Sequence, residues 1–181
     1  MEFYFIDSLL AAGGDVIDIR DPKGRISSYF IWGEGDGAFL GFTTLEGIAQ
    51  ENIEYSNLLE ADYLSANIGV PVFSERAMRE IEEFAPGSLE WARIRIACEE
   101  HVTDFYLCRT NDFLDIVDKE ASSFRMLRDG DFILEKAVYK GNPGDGFLIV
   151  RDSEFKTQML VSRRFMDFCR ERKLKIDFRK A

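Results

Sequence analysis

The stretch Leu89-Glu90-Trp91-Ala92-Arg93-Ile94-Arg95-Ile96-Ala97-Cys98 alternates in character with a period of two. Successive side chains of a strand point to opposite faces, so Ala92, Ile94, Ile96 and Cys98 share one face and Trp91, Arg93 and Arg95 the other. Residues 104–109, with Phe105, Tyr106 and Leu107, read as its antiparallel partner across a loop at 99–103. A hairpin of this length supplies the frame to which the rest of the chain must add.

Towards the C-terminus the pattern recurs. Segments 123–127 and 132–139 flank Arg128-Asp129-Gly130-Asp131, where Asp-Gly is a strong hairpin signal. Asn142-Pro143-Gly144-Asp145-Gly146 reads as a loop into a strand at 147–150, and Met159-Leu160-Val161 as another short strand. Ser162 then caps a helix whose apolar side carries Phe165, Met166, Phe168 and Cys169, and the alternating Leu174-Lys175-Ile176-Asp177-Phe178 closes the chain as a strand.

Before the central hairpin, Val70-Pro71-Val72-Phe73 is extended, since proline restricts the residue it follows. Ser74 caps a helix with Ala77, Met78, Ile81, Phe84 and Ala85 at helical spacing, ended by Pro86-Gly87. The first sixty residues read as strands between turns. Phe3 and Phe5, then Val16, Ile17 and Ile19, then 28–32 are β-favouring, Asp21-Pro22-Lys23-Gly24 is a turn, and the spacing Thr43 to Glu46 predicts a short helix over 44–51. Consecutive strands outnumber helices. The expected fold is α+β, a largely antiparallel sheet with a few short helices packed on it, in a single domain over 1–181 with a variable, β-rich part at 1–60.

Of the 181 residues, 33 are acidic and 23 basic, a formal charge of −10. The imbalance is local: residues 1–120 hold 24 acidic and 9 basic side chains, and residues 121–181 hold 9 and 14. An acidic body repels nucleic acid and anionic lipid and steers basic partners inward. With no uncharged apolar run of membrane-spanning length and no basic, apolar leader at the N-terminus, the expected location is the cytoplasm, away from membrane and nucleic acid. Cys98, Cys108 and Cys169 lack CxxC spacing and read as reduced, buried thiols, so neither a metal nor any other cofactor is expected.

No constellation makes a convincing active site. Gly33-Glu34-Gly35-Asp36-Gly37-Ala38 fits a loose dinucleotide fingerprint, yet Phe39-Leu40-Gly41-Phe42 reads as extended where a helix should open, and two carboxylates stand where phosphate should sit. Asp112, Asp115 and Asp118 recur at a spacing of three without a calcium-loop glycine. His101, the only histidine, lies among Glu99, Glu100 and Asp104, neighbours that oppose a general-base role. Trp91 with Arg93 and Arg95 would make a stacking platform for single strands, but the acidic surroundings argue instead for a core or interface anchor.

From Asp62 onward the order of features resembles immunity-protein family 11 of bacterial polymorphic toxin systems. The resemblance is carried by Asp62-Tyr63-Leu64-Ser65, by Gly69-Val70-Pro71-Val72-Phe73-Ser74-Glu75-Arg76-Ala77, and by Ala85-Pro86-Gly87-Ser88-Leu89-Glu90-Trp91. Tyr106-Leu107, Asp115 ahead of Ser122, and Leu160-Val161-Ser162-Arg163-Arg164-Phe165 leading to the closing strand complete it over about residues 60–181. The late glycine-rich segment of the family reads Arg172-Lys173-Leu174-Lys175 here.

The resemblance implies a cytoplasmic, non-enzymatic protein that binds and occludes a cognate secreted or contact-delivered toxin domain, a basic nuclease being one such target. Asp112, Asp115, Asp118, Trp91, Glu99 and Glu100 are then the candidate partner-binding residues, carboxylates in place of phosphates and an aromatic anchor. The alternatives are a carboxylate-dependent hydrolase built on Asp112 and Asp115, and a scaffold or regulatory binding module.

Overall fold

The computed structural model describes residues 2–11, 13–141 and 146–181. In chain order the elements are β1 (Phe3–Asp7), β2 (Ile17–Ile19), α1 (Arg25–Phe30), β3 (Leu45–Ala49), α2 (Tyr55–Glu60), β4 (Tyr63–Leu64), β5 (Val72–Phe73), α3 (Glu75–Phe84), β6 (Leu89–Cys98) and β7 (His101–Thr110). There follow β8 (Phe113–Leu114), β9 (Ser123–Met126), β10 (Phe132–Lys136), β11 (Ile149–Asp152), β12 (Met159–Ser162), α4 (Arg163–Glu171) and β13 (Asp177–Lys180). The fold is α+β, with short helices on sheets dominated by antiparallel pairing.

The central hairpin holds its full expected length. Leu89 pairs with Thr110 and Cys98 with His101, so the turn is Glu99-Glu100 alone, tighter than the expected loop at 99–103. Glu99 takes a positive φ of 53°, and His101 belongs to the strand. Around this hairpin a six-stranded sheet forms in the order β2-β3-β6-β7-β5-β4. A five-stranded sheet, β13-β1-β12-β11-β8, lies against it, and β9 and β10 make the two-stranded hairpin that Asp129-Gly130 forecast. Two pairings are parallel, β3 with β6 and β8 with β11. The N-terminal β1 sits between β12 and β13, so the first residues of the chain and the last share one sheet.

Three apolar clusters fill the spaces. The first packs Ile26, Tyr29 and Phe30 of α1 and Leu58 of α2 on one face of the central sheet, against Ile94, Ile96, Phe105 and Leu107. The second lies between the two sheets and the helices α3 and α4, joining Phe73, Leu89 and Cys108 to Ile81, Phe165, Phe168, Ile149 and Val161. The third covers the far face of the five-stranded sheet with Phe3, Val150, Leu160 and Ile116. Cys98, Cys108 and Cys169 are all free and buried, as expected. The sheets are tied by two buried polar groups. The Thr110 hydroxyl donates to the Ile149 carbonyl at 2.6 Å, and the Arg151 guanidinium, 1% exposed, donates to the carbonyls of Gly69 and Lys156 at 2.9 Å each.

Both expected serine caps hold, with Ser74 Oγ accepting from Ala77 N–H and Ser162 Oγ from Phe165 N–H. Several N-terminal expectations do not hold. The strand expected at 28–32 does not form, because 25–30 make up α1. Ile26, Tyr29 and Phe30 fall on one helical face, and the Asp21 carboxylate accepts from the N–H groups of Ile26 and Ser27 at its first turn. The helix expected over 44–51 is strand β3, because Leu45 and Gly47 must face the core while Glu46 and Ile48 face out. At Gly47 even a Cβ would come within 3.3 Å of the Asp18 carbonyl. Residues 38–41 form a 3-10 turn where 39–42 was expected to be extended. Strands β11 and β13 start later than expected, at Ile149 and Asp177, leaving Leu174 and Ile176 buried in the approach to β13. The loop expected at 142–146 lies, apart from Gly146, outside the described residues.

Candidate interaction surface

The six candidate residues are separated along the molecule. Trp91 lies at the helix-covered end of β6, packed against the second cluster beside Phe73 at 5.7 Å, with its indole N–H donating to Glu82 at 3.1 Å. It is held by the fold, half-buried, and its neighbour Arg93 leans to Asp104 at 3.5 Å. Asp112, Asp115 and Asp118 flank β8, at the edge of the other sheet. Asp112 is exposed as a residue, its backbone N–H donates to the Thr110 hydroxyl oxygen at 3.1 Å, and partial burial of its carboxyl pushes that group up.

The hydrogen bond from Lys140 holds Asp115 below the usual carboxylate range. The Asp118 carboxylate accepts from the N–H groups of Glu120 and Ala121 at 3.0 and 3.1 Å, which closes a turn. The spacing of three therefore reflects an ion pair, a turn and one free group rather than a shared cleft. Among the described residues, no group of three histidine, cysteine or acidic side chains converges as metal ligands would.

Glu99 and Glu100 stand at the opposite end of β6, eight residues or about 26 Å of strand away from Trp91. Their surroundings are built from three other segments. Gln50 N–H donates to the Val16 carbonyl, which brings Glu51 and Asp15 to the same end of the sheet. The Cys98 thiol reaches the Ile53 carbonyl at 3.3 Å, and the Tyr55 ring stacks on His101 with centroids 4.2 Å apart. Asp15, Glu51, Glu99 and Glu100 are all exposed, and among the described residues none forms an ion pair or accepts a side-chain hydrogen bond.

Behind this rim the outer face of the central sheet is uncovered. Helices α3 and α4 close it over Leu89, Trp91 and Cys108, but beyond Arg93 none of the apolar clusters formed by the described residues extends over it. The register sets Ile48 beside Ala97 and Ala97 beside Val102, an apolar row adjacent to the Glu99-Glu100 turn. Ile48 is 43% and Val102 52% exposed. The next row places Arg95 between Glu46 and Asp104. A shallow depression of about 150 Å³ runs over these rows and Arg20, and a wider groove of about 580 Å³ lies where the segment before β3 diverges from β6, between exposed Phe42 and Trp91, Arg93 and Arg95. Of the six candidates, Glu99 and Glu100 stand on the rim of this face and Trp91 lines its groove at the helix-covered end, while the three aspartates lie on the other sheet. The open sheet face was not legible in the sequence, because its apolar row comes from three strands, one of which, β3, lies where the Thr43–Glu46 spacing predicts a helix.

The geometry therefore sets an apolar row and exposed carboxylates side by side on the open half of one sheet face of an α+β fold. The model of the immunity protein family Imm11 matches residues 41–181, and the chain belongs to that family. The match starts about twenty residues before the resemblance noted from sequence and takes in β3, the neighbour of β6 in the central sheet. No curated protein matches the chain. Among the described residues, no helix is long and apolar enough to cross a membrane.

Proposed function

We propose that this chain is the immunity partner of one toxin domain, acting in the cytoplasm of the cell that makes both, as part of a polymorphic toxin system. It binds the cognate domain directly and occludes its working surface, with no catalytic step of its own. The observation that carries this reading is membership of the immunity family over most of the chain. A net charge of −10, with carboxylates at one sheet end that lack intramolecular cations among the described residues, supports a basic target such as a nuclease, towards which association is fast.

Among the six candidates, Glu99 and Glu100 are proposed as contacts, since they are exposed and uncommitted. Asp112 is retained as a secondary candidate. Asp115, Asp118 and Trp91 already serve intramolecular partners, so a contact role for them would be added to a structural one. The hydrolase alternative has less support, because Asp115 is taken up by Lys140 rather than facing Asp112 across a cleft.

The test is co-expression with the polypeptide encoded immediately upstream, scoring survival and co-purification together. Rescue from toxicity with a one-to-one complex is expected. Toxicity that persists, with no complex, would overturn the proposal and return attention to Asp112 in a substrate screen.

A further inference from the structure

The exposed apolar side chains of the molecule are scattered except in two places, the β9–β10 hairpin with Met126 and Phe132, and the open end of the central sheet. The hairpin carries both charge signs close together, Arg125, Arg128, Asp129 and Asp131, so nothing about it selects a partner. The sheet face differs, because its apolar row and its charge lie side by side. Ile48, Ala97 and Val102 form a strip across three strands, and one step beyond it Asp15, Glu51, Glu99 and Glu100 form a rim of a single sign. Arg20, Arg93 and Arg95 lie on the other side of the strip, where Glu46 and Asp104 balance two of them.

From this juxtaposition we infer that the toxin domain docks on the open half of the six-stranded sheet, laying an apolar patch on Ile48, Ala97 and Val102 and basic side chains on the carboxylate rim. The inference rests on the immunity reading and assigns its contact surface. Two physical arguments favour a basic protein as the occupant. An apolar centre with a polar, charged rim is the anatomy of a specific protein interface, in which the rim excludes water and the centre supplies most of the affinity. Carboxylates that lack an intramolecular cation among the described residues keep their full field for an incoming basic partner, whereas a second copy of this chain, itself at a net charge of −10, is repelled on approach. The strip is also sited on rigid elements, since three hydrogen-bonded strands fix it before the partner arrives.

The experiment measures binding of the full chain to the polypeptide encoded immediately upstream, by calorimetry and by association and dissociation rates at two salt concentrations. Three variants are compared with the unmodified chain: Glu99→Lys with Glu100→Lys, Val102→Arg, and a charge-matched control, Glu83→Lys with Glu120→Lys, on exposed positions away from the face. Circular dichroism and thermal melting establish that each variant folds.

The rim double variant is expected to weaken binding about tenfold or more, mainly through the association rate, with a smaller salt dependence than the unmodified chain. Val102→Arg is expected to weaken it by a similar factor, mainly through the dissociation rate. The control should bind as the unmodified chain does. Unaltered binding by both folded face variants, alongside a tight complex of the unmodified chain, would overturn the docking surface while leaving the immunity reading intact. Absence of binding and rescue by the unmodified chain would overturn the reading itself. If Val102→Arg instead converts a dimer of this chain to monomers without changing toxin binding, the face is a self-contact and the inference fails.

Discussion

Asp62 offers the sharpest test of how this fold is held. Its carboxylate, 3% exposed as a residue, sits where α2, α3 and the approach to β13 meet. Oδ1 accepts from the Ser74 hydroxyl at 2.6 Å and from Arg76 Nε at 3.2 Å. Oδ2 accepts from Arg76 Nη2 and from the Lys175 backbone N–H at 2.7 Å. Burial pushes the Asp62 carboxyl up, but the hydrogen bonds from Arg76, Ser74 and Lys175 outweigh it and hold the group below the usual carboxylate range.

Replacement by Asn keeps one acceptor and turns an NH₂ group on the donors that Oδ2 served. Loss of the charged bond to Lys175 N–H costs about 1.5–3 kcal/mol. The pair with Arg76, whose side chain is 55% exposed, adds only about 0.5 kcal/mol because solvent screens it. Asp62→Asn should therefore lose about 2–3.5 kcal/mol at pH 7 in urea unfolding. Because the folded group has the lower pKa, its contribution is complete above the unfolded value, near 3.9, and disappears as pH falls through the folded one. The gap between parent and variant should thus narrow below about pH 4. A gap that is absent at pH 7, or that stays constant down to the acid limit of folding, would refute the assignment.

Three further outcomes follow from the same structure. Asp152, 1% exposed, accepts from the N–H groups of Ile116, Val117, Glu154 and Phe155, so Asp152→Ala strands four donors and should cost about 3–5 kcal/mol by denaturant titration. Gly37→Ala should cost about 2 kcal/mol in melting experiments, since its φ is 72° and the new Cβ would lie 2.7 Å from a Tyr29 ring fixed by Glu90 and Arg109. Cys98, Cys108 and Cys169 should resist a thiol reagent in the native protein and all react on unfolding, because burial leaves them inaccessible and pushes the thiols up; fast native labelling of any one would refute its placement.

Where periodicity was long, the sequence was read correctly. Ten alternating residues from Leu89 left no ambiguity about β6, and Ser74 and Ser162 each preceded a helical stripe with a hydroxyl oxygen that accepts at the cap. Short segments failed for a specific reason. Tyr29, Phe30 and Ile31 carry strand propensity, yet six residues are enough for a helix when the Asp21 carboxylate caps it from five residues upstream. Thr43 and Glu46 satisfied a capping pattern, but a parallel partner strand, β6, overrode it. Local preferences in such segments amount to tenths of a kcal/mol, and the burial of Leu45 against Ile94 is larger.

The candidate site divides along the same line. Sequence counting exposed the acidic body, and a hairpin reading placed Glu99 and Glu100 together, because both facts are local in the chain. The spacing of Asp112, Asp115 and Asp118 suggested a patch that Lys140 and two backbone N–H groups divide, and these partners are 2 to 25 residues distant.

By itself, then, the sequence determined the α+β class, the long central hairpin, the two capped helices, the buried thiols and the acidic character, each of which follows from neighbours within about ten residues. Only the tertiary structure decided which sheet face stays open, that Ile48, Ala97 and Val102 form one strip, and that Asp15 and Glu51 join Glu99 and Glu100 on its rim. Those arrangements depend on the register between paired strands up to 49 residues apart, as Ile48 is from Ala97, and register is fixed by burying one whole face rather than by any residue's own preference.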